Sequence, residues 1–241
     1  MSDTHVVDPA VGRKADGSGR MFDGIARRYD FVNRLMSLGL DGRWRRTLVA
    51  ALPAGHLLDV ATGTADVALA LVRRDATTRV TGLDPSAGML AQGAEKVEKL
   101  GFADRITLIE GDAQQMPFAD HTFAGSCISF GIRNVPDRRR GLAEMARVTV
   151  PGGPVAVLEL TEPQGGLLAP FARFHVRHIV PRIGGWLSGN AEYRYLQRSV
   201  AAFPPPQAFA ALMAEVGLVD VQIKRLSFGA LHLFVGRVPL A

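Results

Sequence analysis

Cysteine is almost missing from this sequence. The single copy, Cys127, has no partner for an intramolecular disulfide and sits in the apolar run Cys127-Ile128-Ser129-Phe130, where a small thiol packs like a hydrophobe. A reducing cytoplasm is permitted by this. Long hydrophobic runs are missing too: nothing approaches the roughly 18 consecutive apolar residues of a membrane-spanning helix. Residues 1–19 mix Asp3, His5, Asp8, Arg13, Lys14 and Asp16 with small residues, which is not the apolar centre of a secretory leader. Nor is there a concentrated block of one charge. The net charge of +5 is spread over several segments, so no nucleic-acid partner is expected, whereas a mild positive balance suits an anionic membrane surface.

What is present is the composition of an ordinary globular chain, 47% hydrophobic and 21% charged, enough to bury one sizeable core. The reading is a flexible N-terminus over 1–19 and one domain over 20–241. Apolar residues at 22, 25, 26, 29, 32 and 36 predict an amphipathic helix, and a second short helix comes at 41–52 before Pro53-Ala54-Gly55. Strand and helix signals then alternate: strand 57–61, helix 65–73, strand 79–84, helix 86–100, strand 106–110, strand 123–130, a helix behind Pro136-Asp137, and strand 155–160. That alternation predicts a doubly wound, mostly parallel α/β sheet of Rossmann-like type. Residues 163–206, broken by Gly165-Gly166, Pro170, Pro181 and Gly184-Gly185, read as a lid or insertion. After a further helix, Val219 to Ile223 alternates as a half-buried strand, and Ala230 to Val235 completes an antiparallel C-terminal hairpin, for seven strands in all.

In open α/β sheets ligands bind beyond the carboxyl ends of the strands, so the loops there are the places to look for chemistry. The first, Asp59-Val60-Ala61-Thr62-Gly63-Thr64-Ala65-Asp66, is a tight strand-to-helix turn in which Gly63 lets a ligand approach the backbone. The second strand ends in Asp84, which can accept from both hydroxyls of a ribose; Pro85 keeps it extended and Ser86 can cap the next helix. The third leads into Gly111-Asp112-Ala113, a second acid placed for an adenine amino group, with Met116, Pro117 and Phe118 as apolar neighbours. The first loop lacks G-x-G-x-x-G, and no phosphate-binding G-x-x-x-x-G-K-[ST] exists, which argues for a nucleoside cofactor without phosphates. Singly, each Asp could equally be a cap or turn residue; three at successive strand ends are hard to read as capping alone.

The segments 58–66, 82–90 and Met116-Pro117-Phe118 resemble the class I methyltransferases. Ser129-Phe130-Gly131-Ile132-Arg133-Asn134-Val135, the stretch 22–37 with Arg28-Tyr29-Asp30, and Tyr193-Arg194-Tyr195-Leu196 resemble more narrowly the ubiquinone/menaquinone biosynthesis C-methyltransferase family, over about residues 20–238. The resemblance implies S-adenosyl-L-methionine as cofactor, with Thr64, Asp84, Asp112, Ala113 and Ser129 at the family's cofactor positions beside Asp59 and Gly63. Where the general class has three alternate glycines, this chain has Ala61, Gly63 and Ala65: Ala65 costs little if the helix has begun there, and Ala61 narrows the space at the cofactor's methionine end. The tail 226–232 is looser than the family's glycine-rich form.

The reaction the resemblance implies is methyl transfer to a ring carbon of a reduced, prenylated quinone, a demethylmenaquinol or a ubiquinone precursor. Arg133 would hold the phenolate or an activating water, Asn134 would fix the ring oxygen or that water, and Tyr29 would cover the site and join the relay. Bland alternatives stand beside each: Arg133 paired with an acid, Asn134 capping the turn before Pro136, Tyr29 in the core. No metal site is expected; His175 and His178 among arginines read as a solvated basic face, as does Arg138-Arg139-Arg140. Phe171, Phe174, Ile179, Trp186 and Leu187 are candidates for a prenyl groove, giving loose association with the inner face of the membrane. A homodimer is left open. Rival functions are methylation of another phenolic or lipid natural product, and a noncatalytic nucleoside-binding subunit of a biosynthetic complex.

Overall fold

The computed structural model describes residue 37, residues 39–161 and residues 198–240. The expected helix over 22–36, with Tyr29, lies outside the described residues, as does most of the expected lid, including His175, His178 and the aromatic groove candidates.

In chain order the elements are α1 (Asp41–Val49), β1 (His56–Val60), α2 (Asp66–Arg74), β2 (Arg79–Asp84), α3 (Ala87–Lys99), β3 (Ile106–Glu110), β4 (Gly125–Ser129), a 3₁₀ turn (Ile132–Asn134), α4 (Arg138–Val148), β5 (Pro154–Leu160), α5 (Pro206–Glu215), β6 (Val219–Leu226), a second 3₁₀ turn (Ser227–Gly229) and β7 (Leu231–Arg237). The strands form one seven-stranded sheet in the order β3-β2-β1-β4-β5-β7-β6. The first five pair in parallel and β7 runs antiparallel to both β5 and β6. From β1 the chain winds outward to β2 and β3, then returns to lay β4 on β1's other side. The strand order therefore reverses between β1 and β4, the place where such sheets bind ligands.

Burial explains why these strands read as apolar runs. Leu58, Val60, Ile128, Val155 and Val157 pack with Leu142, Met145 and Val148 of α4 and Phe209 and Met213 of α5. Leu57, Cys127, Ala156 and Leu158 pack with Leu48 and Val49 of α1 and Ala68, Leu71 and Val72 of α2. Strands covered on both faces have no polar side to present to water.

The helices start where the caps predict: the Ser86 hydroxyl accepts from Met89 N, and Asp137 accepts from Arg140 N. Pro206 opens α5 at a position where its missing N–H costs nothing. Two local expectations fail. β6 is not half-buried: it is an edge strand, exposed along most of its length, with Val219 and Ile223 open to solvent. A register shift between Val219 and Gln222, with Asp220 at φ 52°, breaks the alternation that the sequence pattern suggests. Ala65 is not yet helical. It caps α2 in the left-handed region at φ 65°.

Candidate functional site

Three residues of the β1–α2 turn, Ala61, Gly63 and Ala65, have φ of 51°, 57° and 65°. The alternate positions that are glycine in the general methyltransferase loop thus keep their left-handed backbone here, and two of them bear a methyl group that opposes it. Ala61 lies against Gly131: a Cβ on Gly131 would stand 2.5 Å from that of Ala61. The missing side chain at 131 makes room for the extra one at 61.

The loop is tied to the next strand end by Asp84, whose Oδ2 accepts from Gly63 N (2.9 Å) and Oδ1 from Ser86 N (2.9 Å). A carboxylate oxygen can accept from more than one donor, so these bonds are compatible with a ligand's hydroxyls. Gly93 of α3 stands where a Cβ would be 3.3 Å from Gly63 O, so the helix comes close to the loop. Thr64, buried, accepts from Lys96 Nζ (3.0 Å), which also pairs with Asp66 (2.8 Å), and Asp66 in turn meets Arg45 of α1 (3.0 Å).

Asp59 sits differently from the other two acids. It is buried within β1, takes a bond from the Thr62 hydroxyl (2.6 Å), and meets the Cys127 thiol at 3.6 Å. Burial pushes its carboxyl up to about 7, opposed by the hydrogen bonds from Thr62 and Cys127, and the same burial raises the Cys127 thiol. Asp112 closes an Asx turn, accepting from Gln114 N (2.8 Å) and Gln114 Nε2 (3.1 Å), with half-buried Ala113 beside it against the core. The stretch from Met116 to Phe118 is held from below: Glu144 accepts from Met116 N (2.7 Å), and Arg147 donates to Phe118 O (2.8 Å).

β4 ends in Ser129. Phe130 comes next with φ 57°, a strained conformation for an aromatic residue, held by its N–H to Leu158 O (2.8 Å) and by edge contact with Trp44 at 6.3 Å between centroids. The turn then sets Arg133 and Asn134 side by side in the 3₁₀ segment. Arg133 does have an acid partner, one the sequence did not reveal: Glu159 of β5, whose Oε1 is 2.5 Å from an Arg133 Nη and whose Oε2 takes the Arg133 backbone N–H at 3.4 Å. No spacing rule links positions 133 and 159; only the pairing of β4 with β5 brings them together.

Two polar atoms of this stretch, Ser129 Oγ and Arg133 Nε, are buried without a hydrogen-bond partner among the described residues. Each such atom costs about 1–3 kcal/mol unless something else satisfies it. They lie at the end of β4, the strand adjacent to β1 and its Gly63 turn. Unspent donors at the place where the strand order reverses fit a ligand with its own acceptors. Among the described residues no group of acids, histidines and cysteine could hold a metal ion.

The sequence pattern of the ubiE/COQ5 methyltransferase family matches residues 12–237. The chain is 44% identical over 224 residues to the ubiquinone/menaquinone biosynthesis C-methyltransferase UbiE of Geobacter sulfurreducens, covering 91% of this chain and 88% of that one. It is 42% identical over 223 residues to the demethylmenaquinone methyltransferase of Thermus thermophilus, covering 91% of this chain and 100% of the relative. Among solved structures, a SAM-dependent methyltransferase from Thermotoga maritima superposes with a TM-score of 0.64 at 18% identity, covering 91% of this chain and 98% of that one.

Proposed function

The chain belongs to the ubiE/COQ5 methyltransferase family, and from that premise we propose that it methylates a ring carbon of a reduced, prenylated quinone at the cleft between the ends of β1 and β4. It is an S-adenosylmethionine-dependent C-methyltransferase. The observation that carries the placement is the pair of buried atoms Ser129 Oγ and Arg133 Nε, which have no hydrogen-bond partner among the described residues, at and just past the end of the strand next to β1 and its Gly63 turn.

The residues present suit the cofactor. Asp84 would take the ribose hydroxyls, Asp112 and Ala113 the adenine, and Gly63, Thr64 and Ser129 the amino-acid end, with Asp59 shaping the loop from beneath. Bound there, S-adenosylmethionine supplies a methyl group activated by its sulfonium. The remaining demands fall on the chain. A ring carbon becomes nucleophilic when the neighbouring phenol loses its proton, and a phenol of pKa near 10 is mostly neutral at pH 7. The Arg133 guanidinium serves as electrostatic partner to the phenolate, and its Nε has no hydrogen-bond partner among the described residues. Asn134 would fix the ring oxygen or a water, and Tyr29, which lies outside the described residues, is the residue that the sequence suggests would cover the site.

The test is incubation with methyl-labelled cofactor and both demethylated quinols, benzoquinol and naphthoquinol. Label in the ring of either supports the proposal; label only in an unrelated phenol, or cofactor uptake with no transfer, defeats it. The Arg133→Ala variant is expected to lose turnover about 100-fold or more while binding cofactor like the parent. Undiminished turnover would remove Arg133 from the chemistry.

The long apolar tail of such a substrate lives in a bilayer, and the net charge of +5 favours an anionic surface. No helix among the described residues is long and apolar enough to cross a membrane. Cytoplasmic residence with loose contact to the membrane's inner face is part of the same proposal, with a homodimer compatible with it.

A further inference from the structure

We infer that Glu159 is a positioning residue for methyl transfer, acting through Arg133. The inference rests on the proposed function, in which Arg133 faces the reacting ring. Glu159 belongs to β5, one residue past the Ser129–Leu158 pairing of β4 and β5, at the end of the sheet where Arg133 emerges. Its side chain is wholly buried and that of Arg133 is 9% exposed. Its oxygens are spent on Arg133 and on local backbone: Oε1 takes the Arg133 Nη bond at 2.5 Å and Leu160 N at 2.8 Å, and Oε2 takes Arg133 N at 3.4 Å.

The grip is two-point, on the guanidinium and on the backbone of the same residue. A long side chain otherwise explores many rotamers, and this one is held at both ends. The hold is also partial. It engages one terminal nitrogen and leaves Nε buried and unpartnered among the described residues. An acid serving stability alone would do best by satisfying the whole guanidinium, commonly as a bidentate pair. Here the carboxylate orients the cation and offsets its burial while one donor is kept in reserve. Glu159 has no exposed surface through which to meet a substrate itself, so its influence passes through Arg133.

Beyond Glu159 the same end of the sheet is packed with polar groups. His232 of β7 is its register partner and is bonded through Nδ1 to the Thr161 hydroxyl at 2.7 Å. These ties fix the strand end that carries the carboxylate.

The experiment compares Glu159→Gln, Glu159→Asp, Arg133→Ala and the Arg133→Ala/Glu159→Gln double variant, reading kcat, KM for the quinol, cofactor Kd by calorimetry, and Tm. A misplacement of about 1 Å in a catalytic group costs on the order of 100-fold in rate. Glu159→Gln is expected to lower kcat by about 10–100-fold with cofactor Kd within about twofold of the parent. The double variant is expected to turn over at the rate of Arg133→Ala alone, since Glu159 has no role once Arg133 is gone.

Should Glu159→Gln fail to fold, Glu159→Asp carries the test. It keeps the buried charge but retracts it by one methylene, so a folded protein with reduced kcat supports positioning. Parent-like kcat in either variant overturns the inference, as does a rate loss matching the unfolded fraction or a double-variant loss equal to the product of the single ones. Failure of the parent to methylate either quinol would instead strike the functional reading, which separates the two.

Discussion

At the scale of single residues, strain and burial collect around the β1–α2 turn. Ala61 and Gly131 are a complementary pair, one methyl added where another is missing. Gly131→Ala should therefore be destabilising, by about 1–3 kcal/mol of overpacking in urea titration, because the neighbour is backbone-anchored and cannot swing aside. Adding Ala61→Gly should restore part of that loss; no recovery in the double variant would show that Ile128, also within 3.2 Å of the new methyl, is the true obstacle.

Asp59 makes a second prediction. Its folded-state pKa of about 7 lies above the ordinary 3.8, so the folded protein binds a proton that the unfolded chain has released throughout that interval. Its contribution to stability accordingly falls as pH rises from about 4 to 7, with a slope up to about 1.4 kcal/mol per unit, and levels off above 7. Asp59→Asn should abolish this part of the slope and gain on the parent as pH rises. Parallel stability curves for the two proteins between pH 4 and 8 would contradict it. Gly63 and Asp84 were legible at their strand ends from side-chain type and spacing, whereas Asp59, which the sequence grouped with them, is buried within β1. The left-handed Ala65 was not, because alanine advertises helix and only the turn's geometry demands positive φ.

At the scale of elements, α1 is the brace that joins the segments that follow β1 and β4. Arg45 reaches Asp66 at the head of α2, while Trp44 packs on Phe130 and donates from Nε1 to Ser227 Oγ at 2.8 Å in the β6–β7 turn. That turn is itself strained, with Ser227 and Phe228 at φ 44° and 56°. Trp44→Phe keeps a ring against Phe130 but removes the donor. It should cost about 1 kcal/mol by chemical denaturation; an unchanged midpoint would mean that the bond adds nothing beyond packing. The helix expected at 41–52, which spans Asp41–Val49, was readable from the Pro53-Ala54-Gly55 break behind it. Its bracing role was not, since position 44 meets position 227 only after the sheet has formed.

At the scale of the whole molecule, the sheet order sets the first and fourth strands side by side, and the chain carries a modest net positive charge. If the substrate carries a prenyl tail, as the proposed function has it, a weak hold on the bilayer brings the protein to it. Vesicles rich in anionic lipid should therefore carry a measurable fraction of the protein upward in flotation at low salt, with less at about 1 M, where the Debye length falls to about 3 Å. Equal recovery with neutral and anionic vesicles would remove the electrostatic part of this expectation.

By itself the sequence determined the alternation of strands and helices, the parallel sheet with its antiparallel ending, and the positions of Asp59, Gly63, Asp84 and Asp112. Such features arise from local periodicity and from the residue types in the loop after each strand, and both are written along the chain. Only the tertiary structure decided that Glu159 grips Arg133, that Gly131 yields space to Ala61, and that β6 lies bare at the sheet's edge. Those facts depend on which strands become neighbours, and contact between residues remote along the chain is set by the packing of the whole sheet.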